Sequence, residues 1–400
     1  MTKKAFFIIA FLIIFTQVFA QEPFKYHKAS MYSIMLKHEN QEYCDEIVEV
    51  FKKIPIQDNF YNFNLSNIIF KAGQLEDSDT TRADNQKPHI DKLLFDNAIG
   101  RRLVAKWFNR DKSGIFNTNN IYEKGYYNVS AADIQNALLS IRNSQDEVIL
   151  NVGEELIGNT YILVNDIRYG DKRKDREKRM SGAIAMGALP IIGLIAQPVA
   201  GIMTNDYSGF NVTVTSYLYR LDWNDNIANG FYGNFYTETP DQGKKELFNK
   251  EKGLFTLTYL GNYTVHSSNS NLKGVNNREE QIRKVCTRAI DKAIAQLQKA
   301  HPEFRVRTPL LSTSPITAHI GIREDITPDS KFEVLEISEN AQGVPSYKRV
   351  AIIKPQKDRI WDNRYMAEFE ENKNGMLKAT EFELVSGHIS QTACLIREID

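Results

Sequence analysis

Side chains able to do chemistry are spread thinly along this 400-residue chain. Its seven histidines, His27, His38, His89, His266, His301, His319 and His388, occur singly. No two stand at the spacing that sets a pair of imidazoles on one helix face, so no metal and no cofactor are expected. No Gly-x-Ser-x-Gly elbow, His-Glu-x-x-His helix, phosphate-binding glycine loop or dinucleotide fingerprint occurs. Asp222 and Asp225, flanking Trp223 at the end of a predicted strand, are the best carboxylate pair and could serve a sugar-handling site. A solvated turn accommodates the same residues. Trp361-Asp-Asn-Arg364 is a second aromatic and polar group, where a Trp covering the end of a small barrel is the commoner arrangement. Trp223 and Trp361 are therefore candidate ligand contacts, and no catalytic residue is assigned. Cys286 falls on the apolar stripe of a predicted helix, where burial suits a small thiol, and no disulfide is assigned among Cys44, Cys286 and Cys394.

The elements that must position these residues begin after an export signal. Lys3 and Lys4 precede the apolar run Ala5–Phe15, and Val18-Phe19-Ala20 offers a cleavage site before Gln21, so residues 1–20 are expected to be removed. Without the two lysines the balance is 48 basic against 50 acidic residues. That balance supplies no global attraction to nucleic acid. About 380 remaining residues exceed one comfortable core, so several domains are expected.

Helical spacing of Ile47, Val50, Phe51 and Ile54 predicts a helix over Ser30–Lys53, closed by Pro55. Asp58–Lys71 suits a strand or hairpin, and Gln74–Pro88 is polar enough for a surface loop. A second helix is predicted from His89 to Asn109, with Arg101, Arg102 and Lys106 on a solvated basic face. A third is predicted over Ser130–Arg142, opened by a capping box of Ser130 and Asp133. The β-branched run Thr160–Tyr169 and the alternating run Phe210–Trp223 predict antiparallel neighbours with residues 170–208 inserted between them. Phe255–His266 adds a strand. Arg278–Ala300 carries a continuous apolar stripe that predicts a long helix over one face of the sheet. From Pro309 onward, Ile316–Ile322, Lys331–Ile337, Tyr347–Ile353, Thr380–Leu384 and Ala393–Ile399 are short strands at barrel spacing. The expected fold is α+β: a helix-rich part (21–125), an α/β sandwich with an apolar insertion (126–305) and a small SH3-like barrel (309–400).

The insertion is the least ordinary stretch. From Ala183 to Met203, 21 residues carry no charge, directly after a basic flank holding Arg173, Lys174, Arg176, Lys178 and Arg179. As a helix the block would reach about 32 Å, which is bilayer scale. A single spanning helix is disfavoured by Pro190, Pro198 and Gln197, and its orientation would oppose the positive-inside tendency. A proline-broken hairpin packed within the protein is a second arrangement. In the third, favoured here, the block meets a membrane surface or identical subunits. Gly182, Gly187, Gly193 and Gly201 permit close backbone approach. Leu189, Pro190, Ile191, Ile192, Leu194, Ile195, Pro198 and Val199 supply apolar contact, and the basic flank would face anionic head groups.

The order of parts resembles flagellar-assembly T-type envelope proteins, with a middle part similar to the periplasmic domain of curli-secretion channel proteins. The stretch Gly321-Ile-Arg-Glu-Asp-Ile-Thr-Pro-Asp-Ser-Lys-Phe-Glu-Val334 is similar to the opening of the T-type barrel. The resemblance implies a non-catalytic envelope role in a bacterium, with no functional residues carried over. The lipid-bearing cysteine of the curli channel is missing and the insertion lacks β-patterning, so a channel is not expected. The expectation is therefore an exported protein of the periplasm or outer-membrane periphery. Its partners would be envelope proteins, identical subunits or a membrane surface, and not nucleic acid. A glycan-binding or carbohydrate-active secreted protein using Trp223 and Trp361 is the alternative.

Overall fold

A computed structural model describes residues 28–72, 82–128, 145–170, 211–268, 278–339, 345–369, 377–390 and 394–399. The chain is α+β, with eight α-helices and twelve strands among the described residues. Residues 1–20, the predicted helix Ser130–Arg142 and the block 173–203 lie outside them.

The first sheet is built on β1 (Ser30–Lys37), which pairs in parallel with β2 (Tyr61–Asn62), β3 (Ile69–Lys71) and β4 (Thr160–Gly170). The long antiparallel partners β5 (Asn211–Leu221) and β6 (Leu257–Ser268) complete it on the far side of β4, with β6 at the edge. The helix predicted over Ser30–Lys53 is thus corrected: its first part is a strand, and α1 occupies only Cys44–Lys52. Every β1 residue from Ser30 to Leu36 is buried, so the strand shows no alternation to read. The two strands within Asp58–Lys71 do not form a hairpin, because each pairs with β1 instead.

Both faces of the sheet are covered. On one face lie α2 (Arg82–Asp96), α3 (Ile99–Trp107), α4 (Asn119–Asn128), α5 (Gln145–Glu155), α6 (Asp225–Asn234) and α7 (Gln242–Lys250). Tyr32, Ile34, Ile162, Val164, Tyr217 and Tyr219 alternate toward this side, against Leu103, Trp107 and Phe231. The Trp107 indole is satisfied by the Thr160 hydroxyl at 2.8 Å. The helix predicted over His89–Asn109 is two helices, broken at Ala98, whose φ of 47° is left-handed. The first of them begins at Arg82, inside the stretch expected to be a loop up to Pro88.

The opposite face holds α1 and α8 (Arg278–Ala300), which matches its predicted span. Ile282, Val285, Cys286, Ala289, Ile290, Ala293, Ile294 and Leu297 pack on Leu163, Val212, Val214 and Leu218. Cys286 is fully buried, and burial pushes its thiol up to about 12. Among the described residues the three cysteines are unbridged.

The C-terminal strands close a six-stranded barrel in the order β10-β11-β8-β7-β12-β9. They are β7 (Thr308–Thr313), β8 (Ile316–Ala318), β9 (Lys331–Glu339), β10 (Pro345–Pro355), β11 (Thr380–Gly387) and β12 (Cys394–Ile399). Val334, Ile353, Phe382 and Ile396 fill the interior. Polar contacts seat the barrel on α8: Lys299 Nζ reaches Asp325 Oδ2 at 3.0 Å, Arg288 Nε donates to the Tyr365 carbonyl at 3.0 Å, and the Tyr365 hydroxyl donates to Glu280 at 3.2 Å.

Candidate functional site

Strands β4 and β5 pair without interruption from Tyr161 opposite Arg220 to Gly170 opposite Asn211. The 40 residues between Gly170 and Asn211 therefore leave and re-enter at the end of one hairpin, and β6 continues beside it to Ser268. The basic flank (Arg173, Lys174, Arg176, Lys178, Arg179) and the contact residues from Gly182 to Gly201 all belong to that connection and lie outside the described residues.

What surrounds the two ends is described. On one face α8 runs along β5 and β6, and Val212 and Val214 are fully buried there. On the other face the end of the sheet is polar. Arg168 stands opposite Thr213, which faces His266; Asp166 stands opposite Thr215, which faces Thr264. Thr213 Oγ1 lies 2.9 Å from His266 Nδ1, and the Thr215 and Thr264 hydroxyls are 2.9 Å apart. Behind them, His38 Nε2 contacts the buried Asp166 Oδ1 at 2.6 Å, and Arg168 Nε donates to the same oxygen at 2.9 Å. Burial works to raise the Asp166 carboxyl, but the His38 and Arg168 contacts outweigh it and hold the group below the usual carboxylate range. This polar row offers little to an apolar segment.

The two tryptophans occupy separate places. Trp223 is half-buried and packs on Phe108 and Phe231, with ring centroids 5.8 and 5.9 Å away. Glu154 accepts hydrogen bonds from Tyr232 and Trp223, while burial pushes its carboxyl up. The neighbouring acids are engaged in local structure. Asp222 accepts from the Thr256 and Thr258 hydroxyls at 2.6 Å each, and Asp225 opens α6 behind the Asn224 cap. Trp361 lies beside the barrel, its ring 5.7 Å from His319, its amide donating to Thr380 Oγ1 and its carbonyl accepting from Ile322.

A cleft of about 300 Å³ opens between α2 and the ends of β5 and β6, lined by Lys87, Asp91, Phe95, Tyr219 and Tyr259 among others. Its polar groups satisfy one another: Lys87 pairs with Asp91 at 2.6 Å, and the Tyr219 hydroxyl donates to the same carboxylate at 2.8 Å. Among the described residues, no three His, Cys, Asp or Glu side chains are grouped to hold a metal ion. Nor is any helix there long and apolar enough to cross a membrane. The chain matches no known family model and no curated protein.

The polar row escaped sequence reading because its members come from four distant segments. The alternation of β5, with threonines on one side and valines on the other, was its only visible trace.

Proposed function

We propose that this is an exported, non-catalytic protein of a bacterial cell envelope that works by self-association, partner binding or membrane contact through residues 181–203. Residues 1–20 would be its export signal, and the closed barrel its SH3-like unit, in the layout of T-type envelope proteins. What supports the contact role most is the pairing of β4 with β5 out to Gly170 and Asn211. At the end of that hairpin the described residues present α8 on one face and a polar row on the other. Covering the side chains of the uncharged block elsewhere is worth roughly 1.5–3 kcal/mol for each large apolar group buried. A lipid surface or a second polypeptide supplies that cover, and the five cations at 173–179 favour an anionic one.

The test replaces Ser181–Met203 with a short Gly-Ser linker. The expected variant keeps wild-type circular dichroism but no longer co-sediments with envelope membranes or forms oligomers. Unchanged sedimentation and unchanged oligomer size, with the fold intact, would reject the contact role.

A further inference from the structure

Far from the hairpin end, three lysines converge on one patch of aromatic surface. Lys124 Nζ lies 4.3 Å from the Tyr61 ring centre, 5.9 Å from Phe63 and 6.0 Å from Trp107. Lys28 Nζ lies 5.0 Å from the Tyr61 ring, and Lys106 Nζ 4.7 Å from that of Phe63. All three side chains are half-buried. Lys106 donates to the Asn64 carbonyl at 2.7 Å, whereas Lys28 and Lys124 make no ion pair with a carboxylate among the described residues. Glu123 and Asp58 act on Lys124 and Lys28 only through space.

The cluster is built rather than accidental. Asn128, almost fully buried, accepts from the Lys28 amide at 2.8 Å and donates to the Lys124 carbonyl at 2.6 Å and to the Tyr61 hydroxyl at 3.3 Å. The Asn64 side chain accepts from the Ser33 amide, fixing the residue that holds Lys106. Asn120 Nδ2 donates to the Lys106 carbonyl, linking α4 to α3. Like charges are thus gathered by uncharged scaffolding against partly desolvated rings. Burial foremost, and then the Lys124 ammonium, lowers the Lys106 pKa; burial also lowers that of Lys124, against the pull of Glu123 and with a smaller push from Lys28. Such an arrangement costs the empty protein stability and is relieved by an anion.

We infer that Lys28, Lys106 and Lys124 form a binding site for a phosphate group, with Tyr61 and Phe63 as its aromatic floor. Three ammonium groups match a polyanionic oxyanion better than a single carboxylate or chloride. The phosphate is that of a small soluble compound or of a lipid head group.

The test measures thermal unfolding of the full chain against inorganic phosphate, acetate and chloride at constant ionic strength, and flotation with phosphatidylglycerol or phosphatidylcholine vesicles. For wild type, a saturable rise of about 3 °C or more is expected with phosphate and not with chloride or acetate. Lys124→Gln and Lys28→Gln are expected to lose that rise while unfolding at or above the wild-type temperature without phosphate, since repulsion is relieved. A purely structural role would lower it. Flotation with phosphatidylglycerol that the same substitutions abolish assigns the phosphate to lipid; phosphate stabilisation without flotation assigns it to a soluble compound. Absence of both effects in wild type, or their retention in both variants, overturns the site. Because residues 181–203 remain intact in these variants, loss here is distinguishable from failure of the contact role.

Discussion

Asp291 shows how a single side chain links two distant parts of the molecule. It lies on α8, buried, and accepts from Gln57 Nε2 at 2.6 Å. Burial pushes its carboxyl from the usual 3.8 up to about 6, against the pull of Gln57 and the Arg323 and Arg288 charges. A raised folded-state pKa means that the native protein binds this proton more tightly than the unfolded chain. The stabilising contribution is complete below about pH 4 and is lost as pH rises through about 6. The span corresponds to about 3 kcal/mol. Asp291→Asn should therefore flatten the decline in denaturant-measured stability between pH 4 and 6, and should gain about 1–3 kcal/mol at pH 7.5. A variant with the wild-type slope would contradict this assignment. Sequence reading identified Cys286 on the same helix because an apolar stripe announces burial. It passed over Asp291 because Gln57 and Arg323 are supplied by remote segments. Lys106 was missed for a related reason: it was read as part of a solvated face, but β2 and the chain after it bring Phe63 beneath its ammonium group.

At the scale of elements, α4 and α5 cross so closely that neither tolerates a side chain at the contact. A Cβ on Gly125 would fall 2.0 Å from the Ile149 carbonyl oxygen, and one on Gly153 would fall 2.1 Å from that of Ile121. Gly125→Ala should therefore destabilise by roughly 1–3 kcal/mol in chemical denaturation, through forced separation of the two helices. It should also loosen Lys124, which sits beside Gly125, and weaken phosphate binding. Elements whose apolar and polar positions recur at a regular period were legible: α8, β5 and most barrel strands fall close to their predicted spans. The strand β1 was not, because burial on both faces removes the period-two signal, while Ile47, Val50 and Phe51 further on supply a helical one. The helices α6 and α7 carry Asn, Gly and Lys in a weak pattern, and their packing rests on Phe231 and Phe248 meeting a shared aromatic core. That information is tertiary, and no local window contains it.

At the scale of the whole molecule, a covered sheet and a closed barrel are joined through α8 and a polar seat at Asp325 and Tyr365. In these parts the aromatic and carboxylate groups that suggested a sugar-handling site are engaged in packing, turns and caps. The molecule's least water-compatible stretch is instead carried between Gly170 and Asn211. The central claim is that this stretch is covered by something other than its own chain. A photoactivatable crosslinker at Leu194 or Ile191, irradiated in intact cells and resolved by mass spectrometry, tests it most directly. The expected adducts are lipid, a second copy of the chain or another envelope protein, and they should vanish when a detergent wash strips the membrane before irradiation or the partners are separated. Adducts confined to the sheet, helices or barrel of the same polypeptide would contradict the account.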